Sequence, residues 1–253
     1  MRLTRVYVEA ALTAGSRVDL PPDTAAHLAK VLRARAGDEL ILFNGDGREF
    51  NGAIEAVRGS RVAASVGDGR QMDRESPLSI TLVQCIPRGD RMDFIVQKAT
   101  ELGVTRIVPV LSQRSVVRLD QSQAESKANH WRAVAVSACE QCGRNRLPAI
   151  EPAQPLLNYL GDSQPGNGLR LVLEPESAPY GSAAPPNESA AHESAARGGA
   201  EIAIGPEGGF APDELEAFRV AGFSQVGLGP RILRTETAAI AAVVWLQARF
   251  GDL

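Results

Sequence analysis

Ile204-Gly205-Pro206-Glu207-Gly208-Gly209-Phe210 follows a short apolar run and precedes a helix start at Pro212. Glycines at a strand end let a backbone approach a ligand closely, and open α/β sheets bind ligands at that end of their strands. A tight turn that only joins strand to helix is the plainer alternative. The spacing is not the GxGxxG of a dinucleotide fold, and no nucleotide-triphosphate loop is present. Glu207 stands where a phosphate would have to lie and would repel it. A ligand with ribose hydroxyls and a positive centre is easier to accommodate, and S-adenosylmethionine has both.

Two further segments carry candidate chemistry. In Leu228-Gly229-Pro230-Arg231-Ile232-Leu233-Arg234-Thr235-Glu236-Thr237-Ala238, Gly229 and Pro230 make a turn, and Thr235 can cap the closing helix with Glu236 in its first turn. Arg231 and Arg234 oppose the helix dipole there, so they need compensation. They are available to hold an RNA phosphate or to stabilise charge on a reacting base. In Cys139-Glu140-Gln141-Cys142-Gly143-Arg144-Asn145-Arg146, the CxxC spacing suggests zinc or redox chemistry. A structural zinc site needs four ligands, and Cys85, His27, His130 and His192 are not at ligand spacing, so no metal is expected. Gly143 ends a helix and exposes Arg144, Asn145 and Arg146.

These segments must be positioned by elements of two kinds. Up to residue 72 the chain reads as short strands around one helix, Thr24 to Arg33, with Leu28, Val31 and Leu32 inward. Asn44-Gly45-Asp46-Gly47 supplies a hairpin turn, and Arg61 to Val66 is the last strand. Such a set predicts a small β-barrel. The polar run Gly67 to Pro77 reads as a linker. From 73 to 253, strands and helices alternate, which predicts a parallel α/β sheet. Pro175 to Ala200, rich in Ala, Ser, Pro and Glu, reads as a flexible loop. The closing helix, Thr235 to Phe250, is apolar nearly all round and needs cover on more than one side, with Ala242 assigned to its outer face.

Composition bounds the rest. With 44% hydrophobic and 23% charged residues the chain is an ordinary globular protein. No segment reads as a signal peptide or membrane span, and three cysteines fit a reducing cytoplasm. The net charge of −3 is unlike a nucleic-acid binder, but it hides a gradient. Residues 84–150 carry ten Lys/Arg against six Asp/Glu, and residues 151–253 carry six against thirteen. A local RNA surface is therefore allowed.

GPEGGF, LGPRILRTETA and CEQCGRNR, in this order, resemble the RsmE family of the SPOUT superfamily. His27-Leu28 with Val31-Leu32-Arg33, and Arg74-Glu75-Ser76-Pro77-Leu78, extend the resemblance over essentially the whole chain. The resemblance implies a PUA-like RNA-binding domain, residues 1–72, and a SPOUT methyltransferase domain, residues 73–253, with a C-terminal trefoil knot. It implies an obligate homodimer that methylates a uridine at ring nitrogen 3 in 16S RNA of the small ribosomal subunit. By the same route, S-adenosylmethionine is held by Leu173, Glu174, Gly205, Pro206, Glu207, Gly208, Gly209, Leu228, Gly229, Ile232, Leu233, Arg234 and Thr235. RNA contacts are assigned to Arg5, Lys30, Arg33, Arg35, Arg144 and Arg146.

Uridine ring nitrogen 3 carries an imide proton and attacks only once that proton has left. Arginines aimed at the two flanking carbonyls would stabilise the anion. Arg231, Arg234 and Arg144 are the candidates, with Arg146 after them, and Glu236 is the candidate base, although a first-turn glutamate has a structural reason to be there. Two other functions stay open. One is a SPOUT enzyme acting on another RNA atom or on transfer RNA. The other is a non-catalytic RNA-binding or ribosome-assembly protein.

Overall fold

The computed structural model describes residues 3–162, 168–175, 177 and 188–253. The chain packs as two units, residues 1–75 with 136–147, and residues 76–135 with 148–253.

The first unit holds β1 (Thr4–Tyr7), β2 (Arg17–Asp19), α1 (Pro22–Lys30), β3 (Glu39–Phe43), β4 (Arg48–Arg58) and β5 (Arg61–Gln71). They form one sheet in the order β1-β3-β4-β5-β2, in which β1 pairs parallel to β3 and the rest are antiparallel. Two register shifts between β4 and β5 mark bulges, which bend a sheet around its core. That core gathers Val6, Leu40, Leu42, Phe50, Ile54, Val62 and Val66, with Ala25 and Leu28 from α1.

The sequence reading is corrected here at two places. The helix ends at Lys30 because Arg33 adopts a left-handed φ of 52°. Val31 and Leu32, expected inward, are 64% and 50% exposed. Residues 67–71, expected as linker, continue β5 and pair with β4.

The second unit holds β6 (Ile80–Cys85), α2 (Arg91–Glu101), β7 (Arg106–Leu111) and α3 (Gln121–Cys142), whose last residues pack in the first unit. Then follow β8 (Ala149–Ile150), β9 (Gln154–Pro155), α4 (Leu156–Asp162), β10 (Leu169–Leu173), α5 (Glu188–Gly198) and β11 (Ala200–Ile204). The chain closes with α6 (Pro212–Val220), β12 (Ser224–Val226) and α7 (Thr235–Phe250). All pairings are parallel, in the order β12-β10-β11-β6-β7-β8, with β9 also on β7.

Period-2 alternation splits the strands between two cores. Leu82, Ile107, Leu171 and Ile202 face one side, with Ile95 and Val96 of α2 and Ala239 and Val243 of α7. Val83, Val108, Val172 and Ala203 face the other, with Tyr159 of α4 and Phe218 of α6. Burial on both faces explains why these strands are continuous apolar runs.

The expected flexible loop is corrected in its second half. Residues 188–198 are helical, and Ala191 and Ala195, one turn apart, are buried in the core. Two small side chains on one face suffice to seat a helix of low apolar content. Residues 176 and 178–187 of that run lie outside the described residues. Ala242 is also corrected: it is 1% exposed and packed inward, while Val244 is the exposed large apolar residue of α7. Among the described residues, no helix is long and apolar enough to cross a membrane.

Candidate active site

The carboxyl ends of β10, β11 and β12 converge on a cavity of about 420 Å³ in the second unit. Its wall comprises Leu173, Glu174 and Pro175 after β10, and Ile204, Gly205, Pro206, Glu207, Gly209 and Phe210 after β11. Leu228, Gly229, Arg231, Ile232, Leu233, Arg234 and Thr235 follow β12, and Arg91 and Ala238 come from α2 and α7. Parallel strands place these loops at one edge because each returns through a helix to start again at the opposite edge.

The loop after β11 is anchored on both flanks. Arg91 Nη1 donates to Glu207 Oε1 at 2.6 Å, and the Arg88 backbone N–H donates to the same oxygen at 3.3 Å. Arg114 Nη1 donates to the Gly208 carbonyl at 3.0 Å. Glu214 is buried at the start of α6, where it accepts from the Ala211 and Gln113 backbone N–H groups, both at 2.8 Å. The glutamate thereby satisfies the Ala211 donor at the helix start and ties the loop after β7 to it.

Two glycines in the wall have a conformational reason to be glycine. Gly209 has φ +67° and Gly229 φ +106°, and a side chain built at either meets nothing within 4 Å. Both positions leave open space beside the cavity and disfavour any Cβ. Gly208 is different. It does not line the cavity, and a Cβ there would lie 3.5 Å from Arg114. Gly229→Val should therefore abolish filling of the cavity, with at least a hundredfold loss of ligand affinity, while Gly208→Ala stays within about threefold. Titration calorimetry checks the pair, and equal losses at both positions would refute this geometry.

Residues 74–247 match the family model described as "RNA methyltransferase domain", and residues 20–66 match "RNA methyltransferase PUA domain". The chain is 34% identical to Ribosomal RNA small subunit methyltransferase E of Buchnera aphidicola from Schizaphis graminum, covering 100% of this chain and 98% of that one. It is 32% identical to the protein of that name from Bacillus subtilis, over 96% and 93%. The chain belongs to the ribosomal RNA small subunit methyltransferase E family. Its fold matches that of the family member from Neisseria gonorrhoeae bound to S-adenosylmethionine, with a TM-score of 0.88 and 38% identity over 99% of each chain. A Legionella pneumophila methyltransferase solved with the same cofactor matches at 0.89 and 37% over 100% of each.

Measured against the family's expected site, twelve of the thirteen residues assigned to the cofactor line the cavity, and Gly208 does not. Arg231 and Arg234 line it, exposed, with neither guanidinium hydrogen-bonded among the described residues. Glu236 lies outside the lining, with Oε1 3.8 Å from Arg91 Nε and Oε2 buried without a hydrogen-bond partner among the described residues.

Arg144 is corrected. It is 4% exposed in the first unit, where it donates to Glu75 at 2.6 and 3.0 Å. Arg5 is corrected likewise: it is 8% exposed and donates to Glu49 at 2.7 Å and Asn145 Oδ1 at 2.5 Å. Neither guanidinium is presented to solvent for RNA. Lys30, Arg33, Arg35 and Arg146 are exposed. Sequence reasoning missed Arg91 in the wall, although its place at the start of the helix after β6 was a usable signal.

Among the described residues, no three His, Cys, Asp or Glu side chains are grouped to hold a metal ion, and Cys85, Cys139 and Cys142 form no disulfide.

Proposed function

We propose that this chain transfers a methyl group from S-adenosylmethionine to ring nitrogen 3 of a uridine in 16S RNA of the small ribosomal subunit. The carrying observation is the single cavity built from three strand-end loops, in a fold whose relatives were solved with that cofactor. The wall suits the ligand. Leu173, Ile204, Leu228 and Leu233 give apolar cover, Gly209 and Gly229 leave room, and Glu174 brings negative charge toward a sulfonium, that of Glu207 being met by Arg91. When bound, the cofactor supplies an electrophilic methyl. Arg231 and Arg234 hold the uracil carbonyls and favour loss of the imide proton. Nucleoside mass spectrometry of 16S RNA before and after reaction tests the reading. Label in any base other than uracil, or none, would overturn it.

The RNA surface of the first unit consists of Lys30, Arg33 and Arg35, beside the exposed Val31 and Leu32. Replacing all three cations in the full chain should weaken RNA binding and reduce the slope of log affinity against log salt by about 2, near 0.7 per lost contact. An unchanged slope would move the surface elsewhere.

In this reading the enzyme acts in the cytoplasm as a homodimer, and the chain's end is threaded as a trefoil knot. The exposed apolar face of α7 at Val244 supports the dimer. Val244→Asp should sediment as a monomer with little activity; a fully active wild-type monomer at micromolar concentration would end the dimer assignment.

A further inference from the structure

β6 reads Ile80-Thr81-Leu82-Val83-Gln84-Cys85, a buried strand with one large polar side chain near its end. Gln84 is 0% exposed and stands opposite Ile204, the last residue of β11. Burying an amide among apolar strands is unfavourable unless the amide is bonded. Gln84 Nε2 donates to the Thr235 hydroxyl at 3.0 Å and to the Cys85 carbonyl at 2.8 Å. Thr235 Oγ1 donates in turn to the Gly205 carbonyl at 2.8 Å.

The direction of this chain is fixed by its chemistry. A threonine hydroxyl has one proton, and its donation to Gly205 leaves it only as an acceptor toward Gln84. Turning the amide over would set Gln84 Oε1 against the Cys85 carbonyl, two acceptors face to face. The observed orientation leaves Oε1 buried with no hydrogen-bond partner among the described residues. An apolar side chain of the same length would avoid the cost of burying an amide, so that cost is offset here by the bonds to Thr235 and Cys85.

Gln84 does not line the cavity, but both residues it reaches do. Gly205 opens the loop after β11, and Thr235 is the first residue of α7. We infer that Gln84 is a positioning residue: through the Thr235 hydroxyl it sets the spacing between the β11 loop and the start of α7, and hence the width of the cofactor cavity. The inference rests on the reading of that cavity as the S-adenosylmethionine site.

Titration of S-adenosylmethionine into the full-length protein tests it. Gln84→Met should bind about tenfold more weakly, equivalent to about 1.4 kcal/mol. Its melting temperature should stay within about 3 °C of wild type, because the orphaned acceptor leaves together with the bonded amide. Without ligand, amide exchange over residues 205–211 should quicken in the variant, which a purely structural role elsewhere would not produce. Thr235→Val should lose affinity, Thr235→Ser should keep it, and the double variant Gln84→Met/Thr235→Val should bind no more weakly than the worse single variant. A folded Gln84→Met with wild-type affinity and unchanged exchange overturns the positioning role alone. If Gln84→Met does not fold, Thr235→Val against Thr235→Ser decides, with equal affinities overturning it. A wild-type protein that binds no S-adenosylmethionine overturns both this inference and the cavity's assignment.

Discussion

Arg231→Ala and Arg234→Ala should each lower kcat for RNA methylation by about 10²- to 10³-fold, while changing cofactor affinity only severalfold. The magnitude is that of removing one preorganised donor from developing negative charge. The loop after β12 presents both arginines at the cavity wall, exposed, with neither guanidinium committed to a carboxylate among the described residues. Arg91, the other arginine in the wall, is committed to Glu207 at 2.6 Å and is the poorer candidate. If the pair acts by stabilising the imide anion, the variants should also recover rate as pH rises, more steeply than wild type, because hydroxide then does part of the deprotonation. Rates measured from pH 7 to pH 9.5 under saturating RNA separate the possibilities. A raised KM for RNA with kcat intact would mean that the arginines hold phosphate and leave the base alone.

The arginines could be nominated from the sequence because they sit beside Gly229 and Thr235, whose types mark a turn and a helix start. What could not be read was which arginines are already occupied. Arg144 and Arg5 look like solvent-facing cations in the sequence, one after a helix-ending glycine and one in an edge strand. Their carboxylate partners, Glu75 and Glu49, are 69 and 44 residues away, and only the folded first unit brings them together. Charge neutralisation at that range has no local signature.

The fold shows the same division. Thr235, expected to cap α7, is instead its first residue and donates its hydroxyl to the Gly205 carbonyl, with no side-chain cap on the helix. Leu169–Leu173, Arg106–Leu111, the start of α6 at Pro212 and the extent of α7 follow from apolar runs and a helix-opening proline. Those are local causes, so the sequence carries them. α5 was missed because its seat is two alanines, and alanine does not register as core without knowing that a neighbouring element leaves only that much room. Gln84 was missed for the converse reason. One polar residue in ITLVQC was visible as an exception, but its partner Thr235 lies 151 residues from Gln84, and Gly205, which Thr235 holds in turn, lies 30 from Thr235. The glycines divided according to backbone angle: Gly209 and Gly229 need theirs, whereas Gly208 is held through its carbonyl and leaves the cavity to its neighbours.

Glu49→Gln should destabilise the first unit by about 3 kcal/mol at pH 7 and remove the part of its pH dependence between 4.5 and 2 that Glu49 carries. Glu49 is 2% exposed. Burial by itself would raise its pKa, but hydrogen bonds from Arg5, Arg70 and Arg74 outweigh burial and hold the carboxyl down at about 2, from an ordinary 4.5. Arg5 Nη1 donates to Oε2 at 2.7 Å, Arg70 donates to Oε1 at 2.7 and 3.0 Å, and Arg74 Nη1 donates to Oε2 at 3.2 Å. A depressed carboxylate stabilises the fold fully above its unfolded pKa and loses that contribution as pH falls through the folded one. The drop from 4.5 to about 2 corresponds to about 3 kcal/mol at 1.36 per unit. The amide of glutamine keeps the shape but leaves Arg5 buried against a neutral partner, a loss of about 3 to 5 kcal/mol for a broken buried pair. Both tryptophans, Trp131 and Trp245, lie in the second unit, so fluorescence would report the wrong half of the chain. Hydrogen exchange of the β1 and β3 amides reads the first unit itself. A loss under about 1 kcal/mol, or a variant whose pH dependence matches wild type, would mean that Asn145 Oδ1 and the Arg144 carbonyl satisfy Arg5 without the charge on Glu49.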